Sequence, residues 1–277
     1  MTPQEILDTP DLIAAGVAGD NVRRRKHGGR TTFVRVFEVH VEAPPATLPP
    51  RTDAGEFRIV GRPSSAEAAV HAVRAAAALA GGRPVTGFTL HELEGLGQLS
   101  DVLTPLREAG LSAVAQLAVD AVADPFAAVA AVLDAGLRLN TIAVQELADE
   151  PAARLETCRL VQRLQEAGAA CQAFAPLPRT LSTTKPTTGY DDVKQIALAR
   201  VVVDNVPSIQ VDWALYGPKM AQVALTVGAD DVDNVSAVDP GILGTRRSPL
   251  EEIRTNIRAA SLEAVERDGL FNARTQA

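Results

Sequence analysis

The 277 residues carry 27 Lys and Arg against 34 Asp and Glu, a formal net charge of −7, with 46% apolar and 22% charged residues. A chain this long and this apolar can close a substantial core, and its acidity argues against nucleic-acid or anionic-membrane partners, whose phosphates attract clustered Lys and Arg. No apolar run approaches the roughly 20 residues that span a bilayer, and Met1-Thr2-Pro3-Gln4-Glu5 offers no basic then apolar export signal, so a cytoplasmic protein is expected.

Residues 3–28 read as helical, with Asp11 or Asp20 as cap and Gly28-Gly29 as stop. The basic run Arg23-Arg24-Arg25-Lys26 within it reads as a solvated helix face. Residues 31–41 are rich in β-branched and aromatic side chains and predict a strand, followed by a proline-rich loop from Ala43 to Arg51. A short strand, 57–61, comes next, and strand and helix signals then alternate. Helices are expected over 64–80, 99–108, 124–134 and 150–166, each with glycine behind it, and strands over 85–90, 111–117, 137–144 and 171–177.

A polar loop, Arg179 to Gly189, leads to a helix over 191–205, a strand over 209–215 and a helix over 218–227. Gly228 to Asn234 reads as an acidic turn, short of the calcium-loop pattern. A last helix is expected over 249–268, opened by Ser248 with Glu251 three residues on, a capping box. Six clear strands and one or two more, alternating with helices, favour parallel strands joined by crossovers. The expected fold is α/β: a complete or slightly open (β/α) barrel filling 1–277 as one domain. Phe57-Arg58-Ile59-Val60-Gly61-Arg62-Pro63 is not a dinucleotide-binding turn, which argues against a doubly wound sheet.

Several segments resemble a known family. Thr188-Gly189-Tyr190-Asp191-Asp192, Ile196 to Asn205, Gly217-Pro218-Lys219-Met220-Ala221-Gln222-Val223-Ala224-Leu225 and Gly228-Ala229-Asp230-Asp231-Val232-Asp233 are similar to aminofutalosine synthase and dehypoxanthine futalosine cyclase. Both are radical S-adenosylmethionine (SAM) enzymes of the futalosine route to menaquinone. Val22 to Gly28, Phe88-Thr89 with Glu92, and Gln172 to Leu177 agree with that family's pattern.

The resemblance implies a barrel of radical SAM type with three thiolates after the first strand holding a [4Fe–4S] cluster. That stretch here is Glu42-Ala43-Pro44-Pro45-Ala46-Thr47-Leu48-Pro49-Pro50, and the chain's two cysteines, Cys158 and Cys171, lack metal-site spacing. Both read as reduced structural thiols. Gly61-Arg62-Pro63-Ser64 replaces the family's glycine pair and His-Pro, Ala115-Gln116-Leu117-Ala118 its glycine-rich turn, and Leu147 falls near its histidine. The expectation is therefore no [4Fe–4S] cluster, no metal and no SAM, with no assigned catalytic residue.

Ligands in such barrels sit at the C-terminal strand ends. The polar candidates expected there are His40, Glu92, Asn140, Gln172, Asp230, Asp231 and Asp233. Three readings stay open. The chain is a non-catalytic partner or scaffold of a catalytic radical SAM relative, with self-association as an alternative; or a repurposed barrel that binds a small polar metabolite or nucleoside or does acid–base chemistry; or a chain that lends residues to a shared site.

Overall fold

The computed structural model describes residues 1–180, 187–242, 244 and 248–274. Eight strands, β1 (Arg30–His40), β2 (Glu56–Val60), β3 (Val85–Thr89), β4 (Ala113–Ala118), β5 (Arg138–Val144), β6 (Ala173–Pro178), β7 (Ser208–Asp212) and β8 (Asp231–Ser236), form the sheet. Each pairs in parallel with the next, and β1 closes the ring by pairing with both β2 and β8. This is the closed (β/α) barrel expected from the alternation. The β1–β2 connection, residues 41–55, contains no helix.

Outside the barrel lie α1 (Pro3–Asp8), α2 (Leu12–His27), α3 (Ala66–Ala80), α4 (Leu90–Glu94), α5 (Leu99–Glu108), α6 (Pro125–Asp134), α7 (Pro151–Glu166), α8 (Gly189–Val202), α9 (Trp213–Val227) and α10 (Pro249–Ala259). Their starts follow the local chemistry: the side chains of Thr2, Asp11, Ser65, Asp124, Thr188, Asp212 and Ser248 each accept an orphan backbone N–H of the first turn. The alanine-rich helices pack closely. At Gly19 a Cβ would lie 2.1 Å from the Val227 carbonyl oxygen, so only glycine permits the approach of α2 to the end of α9.

Four segments differ from expectation. The N-terminal helix breaks into α1 and α2, because Thr9 and Asp11 are extended and cap opposite ends. The strand expected over 209–215 ends at Asp212, which caps α9; the helix then kinks at Gly217, whose φ of 73° ends the first turn before Pro218. The acidic turn is in fact β8, since Asp231 and Asp233 alternate with Val232 as strand residues do. The final helix stops at Ala259, and Glu263–Glu266 forms a ninth strand, β9, parallel to the lower half of β1. Of the polar loop 179–189, residues 181–186 lie outside the described residues. Within the basic run, Arg23 is fully buried against Asp20, while Arg24 and Arg25 are exposed.

β1 thus divides its second edge. Residues 30–33 pair with β9 and residues 36–40 with β2, so the C-terminal strap enters where β1 and β2 splay apart at the bottom. The strap continues across the base: Gly269 N–H donates to Gly55 O, and Asn140 Nδ2 donates to Gly269 O at 2.7 Å.

Candidate functional site

At the C-terminal ends of the strands the barrel opens into a cavity of about 420 Å³. Seven strands or the residues just past them supply its wall: Glu38 from β1, Arg58 from β2, Phe88 and Thr89 from β3, Gln116 from β4, Arg179 after β6, Asp212 from β7 and Asn234 from β8. Period-2 alternation explains this. In Glu56-Phe57-Arg58-Ile59 and Ser208-Ile209-Gln210-Val211-Asp212, one set of side chains lies under the helices and the other lines the barrel. Two wall residues that are not glycine, Phe88 (φ 62°) and Asn234 (φ 60°), hold left-handed backbone. Asn tolerates that conformation, whereas Phe pays for it, and such strain gathers at ligand sites.

The floor is a buried ionic layer. Arg58 donates to both oxygens of Asp233, at 2.7 and 2.8 Å, and to Glu56 Oε1 at 2.7 Å. Arg267, reaching up from the strap, donates to both oxygens of Asp231 at 2.6 and 2.7 Å. Gln210 Nε2 and Thr32 Oγ1 complete Asp231, and Thr86 Oγ1 donates to Glu56. Burial opposes each charge, but the Arg58 partners outweigh it. They hold the guanidinium pKa above its ordinary value, and Arg58 in turn holds Asp233 below the usual carboxylate range.

The wall near β6 and β7 is less complete. Arg179 Nη1 donates to Asp212 Oδ2 at 2.6 Å, while Asp212 Oδ1 accepts Leu215 N–H at 2.9 Å. Burial is the largest influence on the Asp212 carboxyl and pushes it up; Arg179 pulls it down and Asp233 adds to the rise. Tyr216 donates its hydroxyl proton to Pro178 O at 2.6 Å, and burial raises that phenol's pKa. The Nε and Nη2 atoms of Arg179 are buried and have no hydrogen-bond partner among the described residues.

The candidates chosen from sequence divide by place. Glu92 lines the cavity, and its carboxylate accepts Thr89 N–H at 3.2 Å in the capping box of α4, a short helix the sequence reading missed. His40 is exposed at the end of β1 and does not line the cavity. Asn140 was expected at the mouth but sits near the start of β5, tied to the strap through Gly269. Gln172 precedes β6 and so lies at the opposite end of the barrel, where its Nε2 donates to Ala170 O. Asp230 pairs with Arg200 and accepts Ile209 N–H beneath the sheet. Asp231 and Asp233 belong to the buried floor. Sequence reading missed Glu38, Arg58, Gln116, Arg179, Asp212 and Asn234; charged residues inside an otherwise apolar strand were the available signal.

The residues present do not fit a three-thiolate cluster. Cys158 lies on α7 and Cys171 just ahead of β6, both fully buried, and burial pushes each thiol up to about 12. The Cys171 thiol donates to Gln165 Oε1, on the side away from the mouth. The cavity offers carboxylates, guanidinium groups and amides, but no sulfur. Among the described residues no three His, Cys, Asp or Glu side chains form a metal-binding group.

Residues 174–276 match the family described as the CofH/MqnC C-terminal region. That part of the chain is similar to the C-terminal region of CofH and MqnC proteins. The CofH/MqnC match runs from β6 through the strap, so it includes Arg179, Asp212, the β8 carboxylates and Arg267. The chain is 33% identical over 133 residues to aminodeoxyfutalosine synthase of Thermus thermophilus, covering 43% of this chain and 36% of that enzyme. It is 30% identical over 132 residues to 5-amino-6-(D-ribitylamino)uracil–L-tyrosine 4-hydroxyphenyl transferase of Archaeoglobus fulgidus, covering 43% and 38%. The match thus spans under two fifths of the length of either relative.

In fold it is similar to methylornithine synthase (PylB), with a TM-score of 0.66 and 11% identity over 95% of this chain and 92% of that one. It is also similar to the [FeFe]-hydrogenase maturase HydG, with a TM-score of 0.64 and 12% identity over 96% and 72%. The (β/α) barrel expected from the sequence is therefore the fold observed.

Proposed function

We propose that this chain is a barrel that binds a small polar metabolite or nucleoside at its mouth and carries no iron–sulfur cluster of its own. The observation that carries the reading is the cavity of about 420 Å³, within the size range of small-molecule sites, walled by polar groups from seven strands. The sequence changes at Ala115 and Gln116 do not fill it; both residues line open space. The kinship with enzymes of the futalosine route makes intermediates of that route the first compounds to try. Aminodeoxyfutalosine-like nucleosides, tyrosine and SAM belong in one thermal-shift panel. Ala214 lines the rim and is exposed, so Ala214→Trp would block the mouth without entering the core. A compound that raises the melting temperature of the native chain, but not of Ala214→Trp, supports the reading. A panel without a shift, or shifts that survive the block, counts against it.

A second reading, a subunit acting beside a catalytic radical SAM relative, is favoured by the misfit itself. A barrel with this C-terminal region and no thiolates at its mouth takes part in radical chemistry only through a chain that has them. Anaerobic tagged purification from the native host tests it: a cysteine-bearing relative in near-equal amount supports a subunit, and recovery of the chain alone opposes it.

A further inference from the structure

We propose that the mouth cavity receives a small organic cation, a protonated amine, on the carboxylate of Glu38; the proposal rests on the reading of the mouth as a ligand site. Register places this side chain. Glu38 and Arg58 are direct partners in the parallel β1–β2 ladder, and such partners project to the same face of the sheet. Arg58 projects into the barrel, where it reaches Asp233 and Glu56, so Glu38 projects inward as well. Unlike the arginine, Glu38 is exposed, and it lines the cavity near the C-terminal end of β1. Its carboxylate therefore stands in the opening itself, within reach of anything that enters.

The surrounding charges leave this carboxylate without a partner. Arg58 is drawn down to the floor by two bonds to Asp233 and one to Glu56, Arg179 is held by Asp212, and Arg267 lies below on Asp231. Among the described residues no other Lys, Arg or His lines the mouth or the floor. Glu38 and Glu92 are the carboxylates of the wall that pair with no cation, and Glu92 instead accepts Thr89 N–H in its helix cap. The opening thus carries an excess of negative charge within a cleft, an arrangement that concentrates cations. An ammonium supplies both charge and N–H donors to a group that can only accept. Gln116 from β4 and Asn234 from β8 also line the cavity, and their side-chain amides make no hydrogen bond to the described residues. A cation held at Glu38 lies on the β8 side, where β1 pairs with the strand that carries Asn234, and the rest of the molecule extends across the mouth toward Gln116.

The test uses three probes of similar shape, benzylammonium, benzyl alcohol and benzoate, titrated into the full chain at pH 7, with affinities read from backbone amide resonances. The expected result is that benzylammonium binds about fivefold tighter than benzyl alcohol, with benzoate weakest. Added salt should weaken the cation and leave the alcohol as it was. Glu38→Gln keeps the size of the side chain and should bring the cation to the level of the alcohol, whereas Glu38→Asp, which keeps the charge, should retain part of the preference. A cation preference undiminished in Glu38→Gln would overturn the role of Glu38. Equal binding of all three probes, lost in Ala214→Trp, would overturn it too and leave the cavity reading standing. Binding of none of them would overturn the proposal and count against the mouth as a site.

Discussion

Arg267 holds the strap to the barrel, and its removal gives a calculable effect. Its guanidinium makes two short charge-assisted bonds to Asp231, stacks 3.8 Å over the Phe271 ring and donates to Asp268 O. Asp231 is 0% exposed. Arg267→Met keeps much of the bulk but leaves that carboxylate with only Thr32 and Gln210 as side-chain donors. Breaking one partner out of a buried pair costs about 3–5 kcal/mol, because the remaining charge is uncompensated. At roughly 2–4 °C per kcal/mol for a chain near this size, the melting temperature should fall by about 6–20 °C. Urea denaturation measures the loss, and hydrogen exchange should show the amides of 263–274 opening first. The double variant Arg267→Met with Asp231→Asn removes the stranded charge and should recover at least half. A single-variant loss below about 1 kcal/mol, or a double variant no better than the single, would refute the electrostatic origin.

Three further outcomes follow from the same geometry. His27 is pushed down to about 4, first by burial and then by Arg200, so the unfolded chain takes up a proton near pH 6.5 that the folded chain refuses. Stability should therefore decline as pH falls from 6.5 to 4, by about 2 kcal/mol from this group, and His27→Gln should flatten that slope in urea titrations at pH 7 and 4.5. Gly19→Ala drives a methyl into the Val227 carbonyl oxygen and should cost about 1–3 kcal/mol, read by the same denaturation; an unchanged midpoint would contradict the α2–α9 contact. Both thiols should stay inert to a disulfide reagent in the native chain and react together only on unfolding.

The barrel was legible because its outward face is so regular. Strand segments such as Phe57-x-Ile59 and Ile209-x-Val211 and the alanine-rich helices carry their own periods, and helix ends were marked by Ser65, Asp124, Ser248 and trailing glycines. The inward face misled. Asp231-Val232-Asp233 alternates as a strand does, yet three carboxylates within four residues read as a turn, because the arginines that neutralise them lie far off in sequence, at Arg58, Arg200 and Arg267. For the same reason the candidate site was only partly found. Of the residues chosen from sequence, Glu92 lines the mouth. Asn140 and Gln172 were set at the mouth although each lies near the start of its expected strand, 137–144 or 171–177, the end away from the ligand. Arg58, Arg179 and Asp212 gained meaning only when closure brought β2, β6 and β7 around one space. The strap was read as the tail of a helix: Leu262 to Glu266 has no turn residue to separate it, and only its pairing with β1 makes it a strand.

The central claim is a ligand-binding mouth in a chain without its own cluster. Native mass spectrometry under anaerobic conditions, after incubation with iron, sulfide and the metabolite panel, tests both halves in one spectrum. The account predicts the protein mass plus one small organic ligand, absent in Ala214→Trp, with no added iron or sulfide. A bound iron–sulfur cluster, or a ligand retained equally by the blocked variant, would contradict it.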